Sequence, residues 1–331
     1  MDLSTRVMGI ELENPIVVGS SGLTDEPAKI SDLEKQGAGA VVLRSIFEEE
    51  IISEYDELLK EAEKKGYSAE FYDYYDYQIR SNRLEQYAGL INEAKKIAGI
   101  PVIASVNCIY SHEWVAYSGE IENAGADALE LNMFFLPSAS SQNQQEDSER
   151  FFRIIETVKK KLKIPVAVKM SYYFFDLAAT IKRIADIGVD AMVLFNRSFH
   201  PDFNIEDMRV MPTYVLSSPQ DSALPLRWIA NMARRVDCDL VASTGVHDGQ
   251  ALIKQILAGA KAVQVVSALY KKGTAQIGAL LGELRSWMES HKYDSLDQFR
   301  GKMSQSEKDN PMVYERVQFM KYFGSGARPG T

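Results

Sequence analysis

A short pattern recurs four times along the chain, as Gly37-Ala-Gly-Ala-Val, Gly125-Ala-Asp-Ala-Leu, Gly188-Val-Asp-Ala-Met and Gly259-Ala-Lys-Ala-Val. Each copy follows a stretch with helical character. Glycine can end a helix because it adopts the left-handed cap conformation without a side-chain clash. Each copy then opens a short apolar run without polar alternation, which is typical of a strand covered on both faces. The pattern therefore predicts buried parallel strands that alternate with helices.

A second set of apolar runs interleaves with the first and brings the predicted strands to eight. Three of these runs begin at Pro15, Pro101 and Pro165, and the fourth begins at Asp239. Proline suits the first residue of a strand because its missing N–H matters least there. The predicted strands span 15–20, 39–45, 101–107, 127–132, 165–170, 189–196, 239–244 and 261–266. The predicted helices span 26–36, 81–98, 112–124, 146–162, 176–187, 225–236, 248–258 and 274–289.

The alternation of strands and helices predicts an α/β protein, a (β/α)8 TIM barrel that forms a single domain over residues 1–331. An open doubly wound sheet is the alternative, but no GxGxxG motif follows the first strand. Insertions at about 46–80 and 197–224 follow even-numbered strands, so both are predicted to lie over the C-terminal mouth of the barrel. The tyrosine-rich first insertion could equally be a dimer surface. Residues 303–331 are predicted to be a C-terminal extension.

Charge and composition narrow the class of partners. The net charge is −9 and no long basic run occurs, which argues against binding to nucleic acid or to an anionic membrane. The sequence shows no secretory signal, and no stretch approaches the roughly 20 apolar residues of a membrane span. Cys108 and Cys238 form no CxxC pair, and the histidines lack metal-ligand spacing. The sequence thus predicts a cytoplasmic protein without a metal site.

Polar residues at the ends of the predicted strands mark a candidate site, because barrel enzymes carry their active sites at these ends. Lys169 closes the apolar strand VAVKM, and a buried lysine is unfavourable unless it is paired. We interpret it as a functional cation, with a structural ion pair as the alternative. The carboxamides of Asn132 and Asn196 can read a flat heterocycle or, in the alternative, cap a loop.

The ends of the last two strands suggest an anion site. Thr244-Gly245 and Val266-Ser267 each lead into a helix, and loops at these positions of a barrel commonly bind phosphate through backbone amides. Ordinary tight turns would produce the same residues. Since the sequence contains no GxSxG, HExxH or P-loop motif, these features predict a bound organic cofactor that supplies the reactive atom.

These segments resemble the class 1 dihydroorotate dehydrogenases, which are FMN-dependent (β/α)8 barrels. The resemblance runs from about Gly9 to Lys302. The matching stretches are NPIVVGSSG, IPVIASV, ALELN, IPVAVKM, FNRS and STGVHDGQALIKQILAGAKAVQVVSALYKKG. The resemblance implies FMN as cofactor, a homodimer, and oxidation of dihydroorotate to orotate in pyrimidine biosynthesis with fumarate as the electron acceptor.

The resemblance also assigns roles to residues of this chain. Lys169 would face the polar edge of the isoalloxazine and stabilise negative charge on the reduced flavin. Asn132 and Asn196 would face the substrate. The remaining cofactor contacts would be Ser20, Ser21, Ser45, Ser105 and Asn132 at the ring and ribityl chain, and Thr244, Gly245, Val266 and Ser267 at the phosphate.

The sequence departs from the family pattern in the substrate half of the site. Arg44 stands where a lysine is usual, and Val266 where glycine is usual. Phe135 occupies the position of the Cys or Ser catalytic base, and Pro137 that of a substrate asparagine. A displaced hydroxyl, with Ser138 or Ser140 as the candidate, would then take the proton. The alternatives are a flavin oxidoreductase for another substrate, a non-catalytic flavin-binding protein, or a non-flavin lyase that uses Lys169 as a Schiff base.

Overall fold

The computed structural model describes residues 1–47, 69–107, 114–134, 144–197, 200–213 and 215–306. Eight parallel strands form a closed barrel within these residues. In chain order the barrel strands are β3 (Ile16–Val18), β4 (Ala40–Val42), β6 (Val102–Asn107), β7 (Ala128–Met133), β8 (Val166–Met170), β9 (Ala191–Leu194), β12 (Asp239–Ser243) and β13 (Ala262–Val265). The short strand β5 (Ile46–Phe47) pairs with the end of β6.

Two pairings close the ring and decide between the two predicted architectures. The last barrel strand pairs with the first through Val263 and Ile16, and β4 pairs with β6 through Val41 and Val102. An open doubly wound sheet would leave two edges without these pairings. The prediction of a (β/α)8 barrel is therefore confirmed, and the open sheet is wrong.

The helices follow the predicted order with some changes of bounds. The helix predicted at 81–98 begins at Ala69, so residues 69–80 are helical although the sequence assigned them to an insertion. Helix growth adds one hydrogen bond for each residue fixed, which lets an established helix extend through acidic, tyrosine-rich sequence. The helices are α1 (Pro27–Lys35), α2 (Ala69–Ile97), α3 (Trp114–Asn123), α4 (Gln144–Lys161), α5 (Leu177–Asp186), α6 (Ala223–Met232), α7 (Gly249–Ala258), α8 (Ser267–Lys272) and α9 (Gln276–Ser290).

Two antiparallel hairpins lie outside the predicted alternation. The first consists of β1 (Thr5–Val7) and β2 (Ile10–Leu12), and the second of β10 (His200–Asn204) and β11 (Arg209–Thr213). The second hairpin occupies much of the predicted insertion 197–224. No helix in the described ranges is both long and apolar enough to cross a membrane.

The barrel interior is apolar at its N-terminal end and polar towards its C-terminal end. Small and branched side chains fill the lower interior, among them Ala128, Ala167 and Val193. Val7 and Met8 of the β1–β2 hairpin pack against this layer. Because alternate strand residues point inward, the residues that follow on the inner face are placed nearer the C-terminal mouth. The polar side chains of the candidate site therefore rest on a closed apolar floor.

An aspartate in two copies of the repeated pattern ties neighbouring units together. Asp127 accepts hydrogen bonds from the backbone N–H of Val102 (2.7 Å) and from the ammonium of Lys95 (2.7 Å). Asp190 accepts from Val166 N–H (2.7 Å) and from Lys159 in the same way. Each carboxylate thus joins the start of its own strand, the start of the preceding strand and the helix before that strand.

We expect Asp127→Ala to lower the free energy of unfolding by about 1–3 kcal/mol, because it leaves the buried Val102 N–H without its acceptor. Chemical denaturation followed by circular dichroism measures this value. Asp186→Ala, which removes an exposed aspartate from the end of α5, is the matched control and should stay within about 0.5 kcal/mol of the parent. Equal effects of the two substitutions would contradict the role given to Asp127.

Candidate active site

A chain of hydrogen bonds joins predicted site residues across the mouth of the barrel. The Oγ of Ser45 lies 3.0 Å from Ser20 Oγ and 2.7 Å from Ser105 Oγ. Asn132 Nδ2 donates to Ser45 Oγ at 3.4 Å, and Asn196 Nδ2 donates to Asn132 Oδ1 at 2.6 Å. These residues come from the ends of five strands that are far apart in sequence. The structure therefore brings together five side chains that the sequence placed in one site.

Tyr87 of α2 fixes the middle of this chain. On one side of β6, the strand β4 pairs with it as far as Ile103, and β5 pairs with it from Val106 onwards. The pairing on that side is therefore interrupted between Ile103 and Val106. Between them the hydroxyl of Tyr87 accepts from Ser105 N–H (2.7 Å) and donates to Ser105 C=O (3.0 Å). Burial raises the pKa of the Tyr87 phenol well above its usual range, so the hydroxyl keeps the proton that it donates. This role of Tyr87 was not predicted from the sequence.

Lys169 lies inside the barrel and is engaged by two other polar residues. Its side chain is 8% exposed, and its Nζ donates to Gln264 Oε1 at 2.9 Å. Glu130, whose side chain is 1% exposed, forms an ion pair with Lys169 across 3.5 Å. Gln264 Nε2 in turn donates to Glu130 Oε2 at 2.5 Å. We call these three residues the interior triad.

The interior triad includes the ion pair that the sequence left open as an alternative for Lys169. The ammonium has three N–H donors, and Gln264 takes one of them. Glu130 Oε1 has no hydrogen-bond partner in the described structure. The triad thus keeps both donor and acceptor capacity in a water-poor position, which suits contact with a polar ligand.

Lys169 stands in register with two asparagines on adjacent strands. Asn132 of β7 pairs with Lys169 of β8. Val106 of β6 pairs with Leu131 of β7, so the residues that follow them, Asn107 and Asn132, lie at the same level of the barrel. Asn107 is buried, and its Oδ1 has no hydrogen-bond partner in the part of the chain that the structure covers. The row of two carboxamides and one ammonium provides donors and acceptors for a planar heterocycle.

A small cavity lies beneath the interior triad. It has a volume of about 20 Å³, is bordered by Glu130 and Gln264, and is otherwise lined mostly by apolar residues of the floor, such as Met8 and Val193. This volume is about that needed for one water molecule. The cavity is too small for an organic ligand.

Ser217 joins residues of the two loops that the sequence predicts to bind an anion, although the sequence placed Ser217 itself only within an insertion. Ser217 N–H donates to Ser267 Oγ (2.9 Å), and Gly245 N–H donates to Ser217 Oγ (3.3 Å). His247 Nε2 lies 3.1 Å from the same hydroxyl. Ser217 and His247 are both buried. A buried serine that joins two predicted phosphate loops leaves no periodic signal in the sequence, because its neighbours are distant along the chain.

The backbone of this region requires glycine at one position. Gly245 has a φ of +83°, and a Cβ there would lie 2.1 Å from the backbone nitrogen of Ser222. Thr244 also has a positive φ, of 82°, and its Oγ1 donates to the carbonyl of Phe195 at 3.2 Å. Val266 has a side-chain methyl 2.9 Å from the place where a Cβ of Gly19 would stand. Val266 is thus accommodated because its neighbour is a glycine.

Other residues predicted for the site lie outside this chain of hydrogen bonds or outside the described residues. The side chain of Arg44 is exposed, unlike that of the adjacent Ser45. Ser21 Oγ is engaged locally, since it donates to Gly19 C=O and accepts from Leu23 N–H. The predicted proton acceptors Ser138 and Ser140, and the substituted positions Phe135 and Pro137, lie outside the described residues.

The family model described as "Dihydroorotate dehydrogenase" matches residues 2–288. The chain belongs to the dihydroorotate dehydrogenase family. The resemblance predicted from sequence motifs is therefore confirmed.

Curated members of the dihydroorotate dehydrogenase family match the chain over most of its length. The relative from Thermoplasma acidophilum named dihydroorotate dehydrogenase B (NAD(+)), catalytic subunit, is 29% identical over 91% of this chain and 98% of its own length. A protein of the same name from Thermoplasma volcanium is 27% identical over the same shares. The putative dihydroorotate dehydrogenase A (fumarate) of Aeropyrum pernix is 25% identical over 91% of this chain and 97% of its own.

We expect Tyr87→Phe to lower the free energy of unfolding by about 1–3 kcal/mol, because the backbone N–H and C=O of Ser105 lose their partner inside the protein. Tyr270→Phe, at an exposed tyrosine, should change it by no more than about 0.5 kcal/mol. Equilibrium denaturation of both variants tests the difference. A Tyr87→Phe protein as stable as the Tyr270→Phe protein would show that the gap in strand pairing is filled in another way.

His247 should make stability depend on pH. Burial, assisted by the charge of Lys271, holds the pKa of His247 below its ordinary value. A histidine with a lowered folded-state pKa stabilises the protein above its unfolded pKa of about 6.5, and this contribution is lost as the pH falls through the folded-state value. The stability difference between wild type and His247→Gln should therefore be larger at pH 7.5 than at pH 5.5. Thermal unfolding at both pH values would refute the assignment if the difference were constant.

Proposed function

We propose that the chain is an FMN-dependent oxidoreductase that oxidises dihydroorotate to orotate in pyrimidine biosynthesis. Family membership and relatives named as dihydroorotate dehydrogenases support a dehydrogenase that acts on a CH–CH bond. The observation that carries the proposal is Lys169, a buried ammonium with donors to spare in the barrel interior, in register with Asn132. Glu130 balances the charge of this cation and Gln264 accepts from one of its three N–H donors, so the ammonium could also donate to a bound ligand.

The residues present fit a flavin mononucleotide. Bound FMN would supply the two-electron acceptor, and the protein would supply binding, orientation and charge. Lys169 would place positive charge at the polar edge of the isoalloxazine. The ribityl chain and ring would contact Ser20, Ser45 and Ser105 in our proposal. Asn107 Oδ1, which has no hydrogen-bond partner among the described residues, would provide a further buried acceptor.

The phosphate would bind where Ser217, Gly245 and Ser267 meet. Thr244 and Val266 flank this position, as the sequence predicts. These hydrogen bonds hold the two serines in place as a cradle, in which the Ser267 hydroxyl accepts from Ser217 N–H and would donate its own proton to a phosphate oxygen. Lys271 and Lys272 donate to the carbonyls of Ser217 and His247, at 2.7 and 3.2 Å, and so add positive charge beside the cradle.

The substrate half of the site would be formed by Asn132 and Asn196. Their carboxamides share a hydrogen bond, which restricts the orientation of both groups, and their remaining hydrogen-bonding capacity would face a planar substrate. We propose that a hydroxyl of the segment after β7, with Ser138 as the candidate, or a water molecule, removes the substrate proton. Arg44 would contribute charge at the edge of the mouth.

The domain organisation, electron acceptor and assembly complete the proposal. We propose one domain over residues 1–331, with the insertions at about 46–80 and 197–224 over the mouth, a fumarate-type acceptor, a homodimer and a cytoplasmic location. The relatives' names include both NAD(+) and fumarate, so the acceptor must be tested directly. The exposed apolar side chains of Phe203, Ile205 and Val210 on the second hairpin support a contact with another subunit.

The proposal is tested first with an anaerobic visible spectrum of the purified protein reconstituted with FMN and titrated with dihydroorotate. Bleaching of the flavin band supports the proposed reaction, and reoxidation by fumarate or by NAD⁺ then identifies the acceptor. A bound flavin that stays oxidised contradicts the proposed substrate and leaves a different substrate or a non-catalytic flavoprotein. Absence of stoichiometric flavin binding contradicts the whole proposal.

We expect Lys169→Ala to weaken FMN binding or to abolish flavin reduction, because it removes the cation beside the proposed isoalloxazine edge. The loss of one charged hydrogen bond predicts at least a tenfold change, on the order of 1.5–3 kcal/mol. FMN titration followed by fluorescence quenching measures binding, and stopped-flow absorbance measures reduction. Lys163→Ala, at an exposed lysine ahead of β8, is the control and should match wild type in both measurements.

A further inference from the structure

The partner of Lys169 in the barrel interior is the carboxylate of Glu130, which has no role in the proposed function so far. Glu130 is 1% exposed and lies 3.5 Å from the ammonium, so a full negative charge accompanies the positive charge inside the barrel. Transfer of a carboxylate out of water is strongly unfavourable, and a buried ion pair is often no more stabilising than well-packed apolar residues. Stability alone is therefore a weak reason for Glu130 at this position.

Gln264 makes the pair a defined geometric unit. Its Oε1 accepts from Lys169 and its Nε2 donates to Glu130 Oε2, so the amide bridges both charges. The three residues come from β7, β8 and β13, and β7 and β8 are neighbours whereas β13 lies elsewhere in the ring. The bridge consequently holds the ammonium from across the barrel interior and restricts its movement.

We propose that Glu130, oriented by Gln264, is a positioning residue that holds the Lys169 ammonium and moderates its electrostatic pull on the bound flavin. The inference rests on the proposed function, since it concerns the same cofactor. A lysine alone would strongly favour electron uptake by a nearby group. The neighbouring carboxylate opposes this effect, so the electron affinity of the cofactor is set by the pair and not by Lys169 alone.

The expected size of the effect follows from Coulomb's law. Two unit charges several ångströms apart at a protein site of effective dielectric constant about 20 interact strongly enough to change an equilibrium by roughly tenfold or more. The cavity beneath Glu130 and Gln264 has space for about one water molecule and is lined mostly by apolar groups, so solvent screening is weak there. A change in the charge of Glu130 should therefore change the electrostatic potential at the mouth of the barrel.

Three substitutions separate charge from shape. Glu130→Gln keeps the size and removes the charge, Glu130→Asp keeps the charge and changes the size, and Gln264→Met keeps the total charge and removes the bridge. The full-length protein carrying FMN is titrated anaerobically with dithionite against a reference dye, and its melting temperature is measured separately. Glu11→Gln, at an exposed and distant position, is the control.

We expect Glu130→Gln to make the bound flavin easier to reduce, with the affinity for reduced relative to oxidised FMN rising by about tenfold or more. Gln264→Met should shift it in the same direction by less, and Glu130→Asp and Glu11→Gln should leave it near wild type. A purely structural role predicts lower melting temperatures for all three interior variants without an ordered shift in the reduction equilibrium.

The outcomes distinguish this inference from the proposed function. Wild-type protein that binds no FMN overturns the proposed function. Wild-type protein that binds FMN, with a reduction equilibrium that Glu130→Gln leaves unchanged or makes less favourable, overturns the inference alone. If Glu130→Gln does not fold, Gln264→Met decides, because an unshifted equilibrium in that variant contradicts the bridge that the inference requires.

Discussion

The ion pair between Lys169 and Glu130 is the interaction around which the barrel interior is organised. Burying two opposite charges is favourable only when the geometry of the pair and additional hydrogen bonds offset the loss of contact with water. Gln264, on a strand that is not adjacent to those of the pair, forms one hydrogen bond with each of the two charged groups. Below the pair the interior is filled by small and branched apolar side chains and is covered by residues of the β1–β2 hairpin. The polar groups of the barrel interior therefore lie towards its C-terminal mouth.

The mouth itself is held by contacts that cross the sequence. Ser45 forms hydrogen bonds with polar residues of other strands. Tyr87 of α2 hydrogen-bonds the backbone N–H and C=O of Ser105 in β6, where the pairing between strands is interrupted. Ser217 performs a similar task in the anion region by joining the loops that carry Gly245 and Ser267. Polar groups that are already satisfied by one another are preorganised, and preorganised groups need little rearrangement when a ligand binds.

Much of the fold and part of the site could be predicted from the sequence. The repeated glycine pattern and the proline-started runs gave the eight strands and their order, because helix ends and buried strands have local signatures. The polar strand ends gave Ser20, Ser45, Ser105, Asn132 and Asn196, because barrel topology alone brings such ends together. The hairpin at 200–213 and the early start of α2 were not predicted, since each depends on pairing or packing partners distant in sequence.

The sequence by itself determined the family, the barrel and the strand positions that carry polar side chains, because periodicity and turn residues act over a few neighbours. Only the tertiary structure decided which polar residues touch. Glu130 and Gln264 sit in apolar strands 134 residues apart, and nothing local marks them as partners of one lysine. Ser217, His247 and Tyr87 are likewise defined by contacts across the barrel. These contacts affect stability because burying a polar group is unfavourable unless it is hydrogen-bonded, and the fold decides which partner lies within reach.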